Sequence, residues 1–362
     1  MDVIGIICEY NPFHNGHIYH IQKIKEKYPN SLIILILNGY FLQRGEISIL
    51  SKENKTKIAM NNGIDIVMEL PTIFGSQSAD NFANSSISIL NKLGVSKIIF
   101  GSECNDKEKL THLAKAQNSP EFVKNLKNYL QQGLNYPTAL SLASSKEFTY
   151  NPNDILGISY IKSILNNNFN ISYETIKRTN DYHNIEGDDE IISGVGIRAR
   201  LASNESIDKY VPKEVLSAIE SVDTKRYFHL LKVKILTDNH LLEYLDVDEG
   251  IEYRLQKHIK KAQTLTEFIN LIKTRRYTYN RLNRMFIHIL LGIPKTINEE
   301  SISLKVLGFT KKGQKYLKKI KYKNVENKTI WEYERKASII YDIICHTNTY
   351  EFELKNKPVI KD

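Results

Sequence analysis

Short apolar runs alternate with amphipathic stretches through the first 210 residues, and the alternation is regular enough to predict elements. Val3–Cys8, Leu32–Leu37, Ile64–Glu69, Lys97–Phe100 and Ile171–Ile176 are compact, rich in isoleucine and valine, and read as buried strands. Between them, residues 17–27 carry Ile18, Ile21 and Ile24 at helical spacing. Ser51 reads as the N-cap of a helix over 52–62 that stops at Gly63, and residues 80–93 repeat this logic up to Gly94. Strand and helix in alternation predict an α/β fold, a doubly wound, mostly parallel sheet covered on both faces. After about residue 211 the pattern changes. Residues 213–222, 251–271, 277–291 and 314–322 read as amphipathic helices with few strand signals. The expected organisation is therefore a catalytic domain over 1–210 and a C-terminal α-helical domain over 211–362.

Charge sharpens this division. Residues 251–340 hold 21 Lys and Arg against 7 Asp and Glu, whereas the whole chain carries a net +9. A basic helical half beside a mildly acidic α/β half suggests a polyanion-binding region joined to a catalytic one. Within it, Lys273-Thr274-Arg275-Arg276-Tyr277-Thr278-Tyr279-Asn280-Arg281 interleaves arginines with tyrosines, which suits phosphates and unstacked bases together. Lys311 and Lys312 open a second, lysine-rich cluster. The cysteines Cys8, Cys104 and Cys345 are three in number and widely spaced, which argues against a disulfide framework or a zinc ribbon and fits a reducing cytoplasm. No apolar run reaches membrane-crossing length, so no membrane partner is expected.

The chemistry concentrates where the first strand ends. Asn11-Pro12-Phe13-His14-Asn15-Gly16-His17 follows it directly, placing two imidazoles and a glycine at the start of a helix. Helix N-termini attract anions, so the element predicts chemistry at a phosphate, with the first helix's unpaired N–H groups helping. His14, His17 and His20 recur every three residues, but no cysteine or carboxylate cluster completes a zinc site, and no metal ligand is assigned. Gly194-Val195-Gly196-Ile197-Arg198-Ala199 matches a dinucleotide fingerprint in form yet lacks a strand before it. It reads better as a second phosphate clamp, with Ser193 offering a hydroxyl and Arg198 a bidentate grip. The loops Asn38–Glu46, Phe100–Glu103 and Asn151–Asp154 should face the same crevice, with Lys52 a further cation beside it.

Longer strings narrow the reading. Glu9-Tyr10-Asn11-Pro12-Phe13-His14-Asn15-Gly16-His17, Phe41-Leu42-Gln43-Arg44-Gly45-Glu46, Phe100-Gly101-Ser102-Glu103 and Pro152-Asn153-Asp154-Ile155-Leu156-Gly157 together resemble bacterial tRNA(Met) cytidine acetate ligases. Lys177-Arg178 before Asp181-Tyr182-His183, and Lys273–Thr278, extend the resemblance across nearly the whole chain. It implies a Rossmann-like fold of the HxGH nucleotidyltransferase superfamily. It also implies an enzyme that forms acetyl-adenylate from acetate and ATP and acetylates N4 of the wobble cytidine of elongator tRNA(Met). ATP, accompanied by Mg²⁺, acetate and the tRNA are the implied partners, and no protein partner is implied. The implied ATP site is Ile7, Cys8, Glu9, Tyr10, Asn11, Pro12, Phe13, His14, Asn15, Gly16, His17, Ile18, Tyr19 and His20, with Gly101, Asn153 and Arg178. Ser193 joins them from the clamp, and His14, His17 and Arg198 are the expected catalytic groups. Arg275, Arg276, Arg281, Lys311 and Lys312 are the expected tRNA contacts. The clamp departs from the superfamily's usual string, since Val195 stands where a threonine is usual. A small-molecule nucleotidyltransferase and a non-catalytic, nucleotide-dependent RNA-binding protein remain the alternatives.

Overall fold

The computed structural model describes residues 2–144, 150–178 and 190–361. Its strands are β1 (Val3–Cys8), β2 (Leu32–Asn38), β3 (Ile66–Leu70), β4 (Lys97–Ser102), β5 (Ser172–Lys177), β6 (Val306–Thr310) and β7 (Val359–Lys361). They form one sheet in the order β5-β4-β1-β2-β3-β6-β7. The first five are parallel, β6 runs antiparallel to β3, and β7 runs parallel to β6.

The helices of the first half are α1 (Asn15–Lys27), α2 (Lys52–Asn61), α3 (Thr72–Gly75), α4 (Ala79–Lys92), α5 (Lys107–Gln117), α6 (Pro120–Gln131), α7 (Tyr136–Ala143), α8 (Pro152–Asn166) and α9 (Gly194–Ala202). Those that follow are α10 (Lys213–Leu216), α11 (Thr224–Thr237), α12 (Ile251–Ile259), α13 (Leu265–Ile272), α14 (Tyr279–Leu291), α15 (Lys311–Lys319), α16 (Lys328–Cys345) and α17 (Tyr350–Lys355).

Alternate positions of β2 point to opposite faces, as a pleated strand requires. Ile33, Leu35 and Leu37 join Ile21 and Ile24 of α1, Ile58 of α2 and Ile197 of α9 in one core. Leu32, Ile34 and Ile36 join Phe82 and Ile87 of α4 and Ile158 and Tyr160 of α8 in the other. The second core continues without a break into α11, α14 and α16 through Phe228, Leu231, Phe286 and Tyr341. The sheet thus carries α1, α2 and α9 on one side and α4 and α8 on the other. Ligands in such sheets sit where the strand order reverses, beyond the carboxyl ends of the strands, here between β1 and β4.

Three differences from the sequence reading have local causes. Residues 251–271 form two helices, because Thr264 caps α13 by accepting from the Glu267 N–H at 3.2 Å. Residues 213–222 give only the single turn of α10. The region after 211 also returns β6 and β7 to the sheet. β6 is five residues long and contains a glycine, and β7 has three residues, too short for period-two alternation to register.

Candidate active site

His14 is the N-cap of α1, in extended conformation, and its ring nitrogen Nδ1 accepts the Gly16 N–H at 3.0 Å. The backbone N–H of His14 donates to Nδ1 of His17 at 3.1 Å. A backbone N–H can only donate, so both Nδ1 atoms are unprotonated and each neutral ring carries its hydrogen on Nε2. The capping bonds thereby leave two neighbouring Nε2–H donors, on rings tilted by 35°. The two rings lie 3.9 Å apart, with Tyr10 edge-on to His17 at 4.6 Å and Phe13 behind it at 5.4 Å. Gly16 is obligatory here, because a Cβ would come within 2.8 Å of the His14 ring. Tyr10 itself holds a left-handed backbone, φ +49°, a conformation maintained by its full burial.

Burial lowers the His14 pKa to about 3, with Arg178 and Arg198 adding to the effect. Burial likewise depresses His17 well below the ordinary imidazole range, reinforced by His14 and Arg178, and brings His20 to about 4. Both paired imidazoles are therefore neutral donors at physiological pH. For a base with a depressed folded pKa, the unfolded chain binds more protons, so this part of the stability falls as pH drops below the ordinary value of about 6.5. Ring-nitrogen NMR between pH 5 and 8 is expected to show His14 and His17 as unchanging Nε2–H tautomers. A titration midpoint near 6.5 for either ring, the ordinary imidazole value, contradicts this.

The α1 terminus differs from expectation. Its first N–H groups are already bonded: Asn15 to Tyr210 O at 2.9 Å, Gly16 to His14 Nδ1, and His17 to His14 O at 2.8 Å. What this end of α1 offers is therefore the two imidazole Nε2–H groups, with the helix dipole behind them, rather than bare backbone N–H groups. Such groups occur instead at α9. Ser193 caps it by accepting from the Gly196 N–H at 3.1 Å, and the N–H groups of Gly194 and Val195 have no partner among the described residues. Arg198, one turn on, donates to Asn11 O at 2.7 Å and pairs with Glu46 at 2.8 Å.

These groups surround one cleft. Ile7, Cys8, Glu9, Tyr10, Asn11, Pro12, His14, Gly16, His17, Tyr19 and His20 line it from the β1–α1 side, and Ser193 and Arg198 from α9. Gly101, Asn153 and Arg178 line it beyond β4 and β5. Glu103 caps α8 there, accepting from Asn153 Nδ2 at 2.5 Å and from the Asp154 N–H at 3.1 Å. The buried Asp154 carboxylate accepts in return from Ser102 Oγ at 2.5 Å and the Cys104 N–H at 3.1 Å. The two acids join the end of β4 to the start of α8, which holds Gly101 and Asn153 on one cleft.

Some expected residues stand elsewhere. Phe13 lies fully in the core, and Ile18 packs against the same core. Asn15 ties α1 to the carbonyls of Glu190 and Lys209 at 2.8 and 2.9 Å. None of the three lines the cleft. Lys52 is not a cleft cation either, because it lies buried between three glutamates. Asp181-Tyr182-His183 lie outside the described residues. As expected of the loop after β2, Gln43 and Arg44 line the cleft, and Phe82 and Tyr160 join them unforeseen from α4 and α8. The helix spacing of Phe82 and Tyr160 reads simply as core, which is why they were missed.

The basic residues separate into two groups. Gly45, φ +72°, packs on the backbone of Asn283 and Arg284, where a Cβ would come within 2.3 Å. This contact continues the cleft wall at Arg44 into α14, where Arg281 lies one turn before Arg284. Arg281 and Arg276 share the Asp248 carboxylate at 2.7 and 3.0 Å, with Tyr277 beneath both guanidinium groups. Arg275 is exposed beside them. Lys311 and Lys312 open α15 at the opposite ends of the strands, where Lys312 donates to Ser31 O at 2.5 Å and faces Asp65 at 3.6 Å. A strand of five residues separates the two ends by roughly 17 Å. The lysines therefore cannot share the cleft's rim with the arginines.

A sheet of this topology, with paired histidines opening α1 and a second clamp at α9, defines a nucleotidyltransferase-type site. Residues 1–359 match the HIGH Nucleotidyl Transferase family. A tRNA(Met) cytidine acetate ligase from Caldicellulosiruptor saccharolyticus is 38% identical, over 99% of this chain and 98% of its own length. The crystal structure of apo Thermotoga maritima TmcAL superposes with a TM-score of 0.89 at 25% identity, covering 99% of both chains. The form of that protein bound with alpha-thio ATP gives 0.86 at 26% identity over the full length of both. The chain belongs to the tRNA(Met) cytidine acetate ligase family of HIGH nucleotidyl transferases. No helix among the described residues is long and apolar enough to cross a membrane.

Proposed function

We propose that this chain is an ATP-dependent ligase that joins acetate to AMP and passes the acetyl group to N4 of the wobble cytidine of elongator tRNA(Met). The observation that carries this reading is the pair of neutral Nε2–H donors at one cleft with the open N–H groups of α9. ATP lies with its adenosine towards Gly101, Asn153 and Arg178 and its α-phosphate at His14 and His17. The leaving diphosphate meets Gly194, Val195 and Arg198, where backbone N–H groups serve in place of the missing threonine hydroxyl. A carboxylate oxygen attacks the α-phosphorus, the bond to the β-phosphate oxygen breaks, and diphosphate departs with the electron pair. No proton moves in this step. The cytidine amine then attacks the acetyl carbon, the acetyl C–O bond breaks to release AMP, and the proton lost from the amine goes to the departing phosphate; positioning contributes more than base catalysis because the anhydride is already activated.

Magnesium accompanies ATP in this reading. Among the described residues, three potential ligands converge only at Glu69, Glu334 and Glu353, away from the cleft and around Lys52. Among the described residues the cleft gathers no such cluster, and Mg²⁺, when bound with ATP, would neutralise charge on the phosphates.

The protein incubated with ATP, labelled acetate and bulk tRNA tests the whole reading. Label in N4-acetylcytidine is expected. Nucleotidyl transfer without tRNA would indicate a small-molecule transferase, and ATP and tRNA binding without diphosphate release a non-catalytic binder. For the tRNA itself, the arginines continuous with the cleft are the anticodon-side contacts. Alanine at Arg275, Arg276 and Arg281 together is expected to weaken tRNA binding at least tenfold and to flatten its salt dependence, by roughly 0.7 in log–log slope per lost single-strand phosphate contact. Alanine at Lys311 and Lys312 is expected to change affinity less than threefold. Filter binding across a salt series decides, and the reverse ranking defeats the assignment.

A further inference from the structure

One wall of the cleft has no part in the steps above. Tyr160 of α8 is 4% exposed, with its ring edge-on to Phe100 at 5.7 Å. Its hydroxyl is bonded to no described residue, yet it is not sealed in the core and meets solvent through the cleft it lines. Other tyrosine hydroxyls here, Tyr227 and Tyr341 among them, are buried without a partner, but this one opens on the cleft and is free to donate to a ligand atom.

The surroundings define that ligand. Phe82, Phe100 and Leu156 line the cleft with Tyr160, and all are apolar. The phosphate donors stand on the other side of the sheet, with α1 and α9 in one core and α4 and α8 in the other. In-line displacement places the nucleophile opposite the leaving group. With diphosphate departing towards α9, the nucleophile enters from the α4–α8 side. It must be small, anionic at one end and apolar at the other.

Resting on the reading above, we infer that the Tyr160 hydroxyl donates to the non-attacking oxygen of acetate while Phe82 and Leu156 enclose its methyl group. A neutral donor suits the task, because a cation would hold back the lone pair that attacks. Burial pushes the Tyr160 phenol well above its ordinary range, so it keeps its proton throughout. Tyr160 then binds and orients the nucleophile, and Phe82 sets the length of acid that fits.

Steady-state acetyl transfer to tRNA tests this in two variants. Tyr160→Phe is expected to raise KM for acetate at least tenfold, with KM for ATP within twofold and kcat at saturating acetate within threefold. Phe82→Ala is expected to shift the kcat/KM ratio of propionate over acetate at least tenfold towards propionate. An unchanged KM for acetate in the first variant together with unchanged selectivity in the second overturns the inference. So does a rise in KM for ATP alone, which would put the hydroxyl on the nucleotide. Wild-type protein that uses no acetate would overturn the functional reading and this inference with it, whereas active wild type with unaltered variants overturns the inference only.

Discussion

Replacing His17 with alanine is expected to lower the rate of acetate-dependent diphosphate release about 10²- to 10³-fold, while ATP binding weakens far less. The reason is geometric. The His17 Nε2–H donor is preorganised by the His14 backbone N–H on its other nitrogen and by the rings of Tyr10 and Phe13 around it. A donor held in place before the reaction costs nothing to reorganise as charge develops on the α-phosphoryl group. Deleting one such donor from an oxyanion site costs ~3–4 kcal/mol, which is the factor given above. His14→Ala is a less clean experiment, because it also removes the cap of α1, worth about 1 kcal/mol of helix stability. His17→Ala keeps the His14 side-chain cap and loses only the reciprocal bond that the His14 N–H makes to the ring. Single-turnover kinetics at saturating ATP separate the effects, and a His17→Ala rate within fivefold of wild type would take that imidazole out of the chemistry.

The histidine pair was legible because its chemistry is local: the four residues His14–His17, soon after a strand, supply cap, glycine and both rings. The five parallel strands were legible for the same reason, since each is a self-contained apolar run with a helix beyond it. What failed in each case depended on distance along the chain. The α1 N–H groups could not be known to be bonded, because the Asn15 partner is the Tyr210 carbonyl, 195 residues later. Arg44 and Arg284 lie 240 residues apart in sequence and meet only because Gly45 lets two backbones touch. Tyr160 and Phe82 carry helical apolar spacing that is identical whether a side chain ends in the core or at a ligand. β6 and β7 are short edge elements whose signal is their pairing with β3 and with each other, and pairing has no local signature.

Lys52 is the sharpest instance, and its replacement by methionine is expected to destabilise the fold by ~3–5 kcal/mol, the range for breaking a buried ion pair from one side. Its ammonium group is fully buried, 2.6 Å from each of Glu69, Glu334 and Glu353. Lys305 joins at 2.8 Å from Glu353, Tyr40 donates to the same residue at 2.9 Å, and the Thr72 N–H donates to Glu334 at 2.5 Å. The hub thus binds α2 and β3 to α16 and α17, fastening the C-terminal helices to the sheet. Without Lys52, three carboxylates whose oxygens lie within 4.8 Å of one another retain a single lysine. Thermal denaturation at pH 7 should show a fall of roughly 6–20 °C, at about 2–4 °C per kcal/mol. The pH response distinguishes this cause from simple misfit. In the wild type, Lys52 and Lys305 hold Glu353 down to about 2, so its contribution is present above the ordinary carboxylate pKa and is lost as pH falls towards 2. In Lys52→Met the strain is mutual repulsion, which protonation relieves, so the gap to wild type should narrow between pH 7 and 4. Adding Glu334→Gln and Glu353→Gln should narrow it at pH 7 as well. A melting temperature within 2 °C of wild type, or a gap that widens on acidification, would show that the ammonium does not hold this hub together.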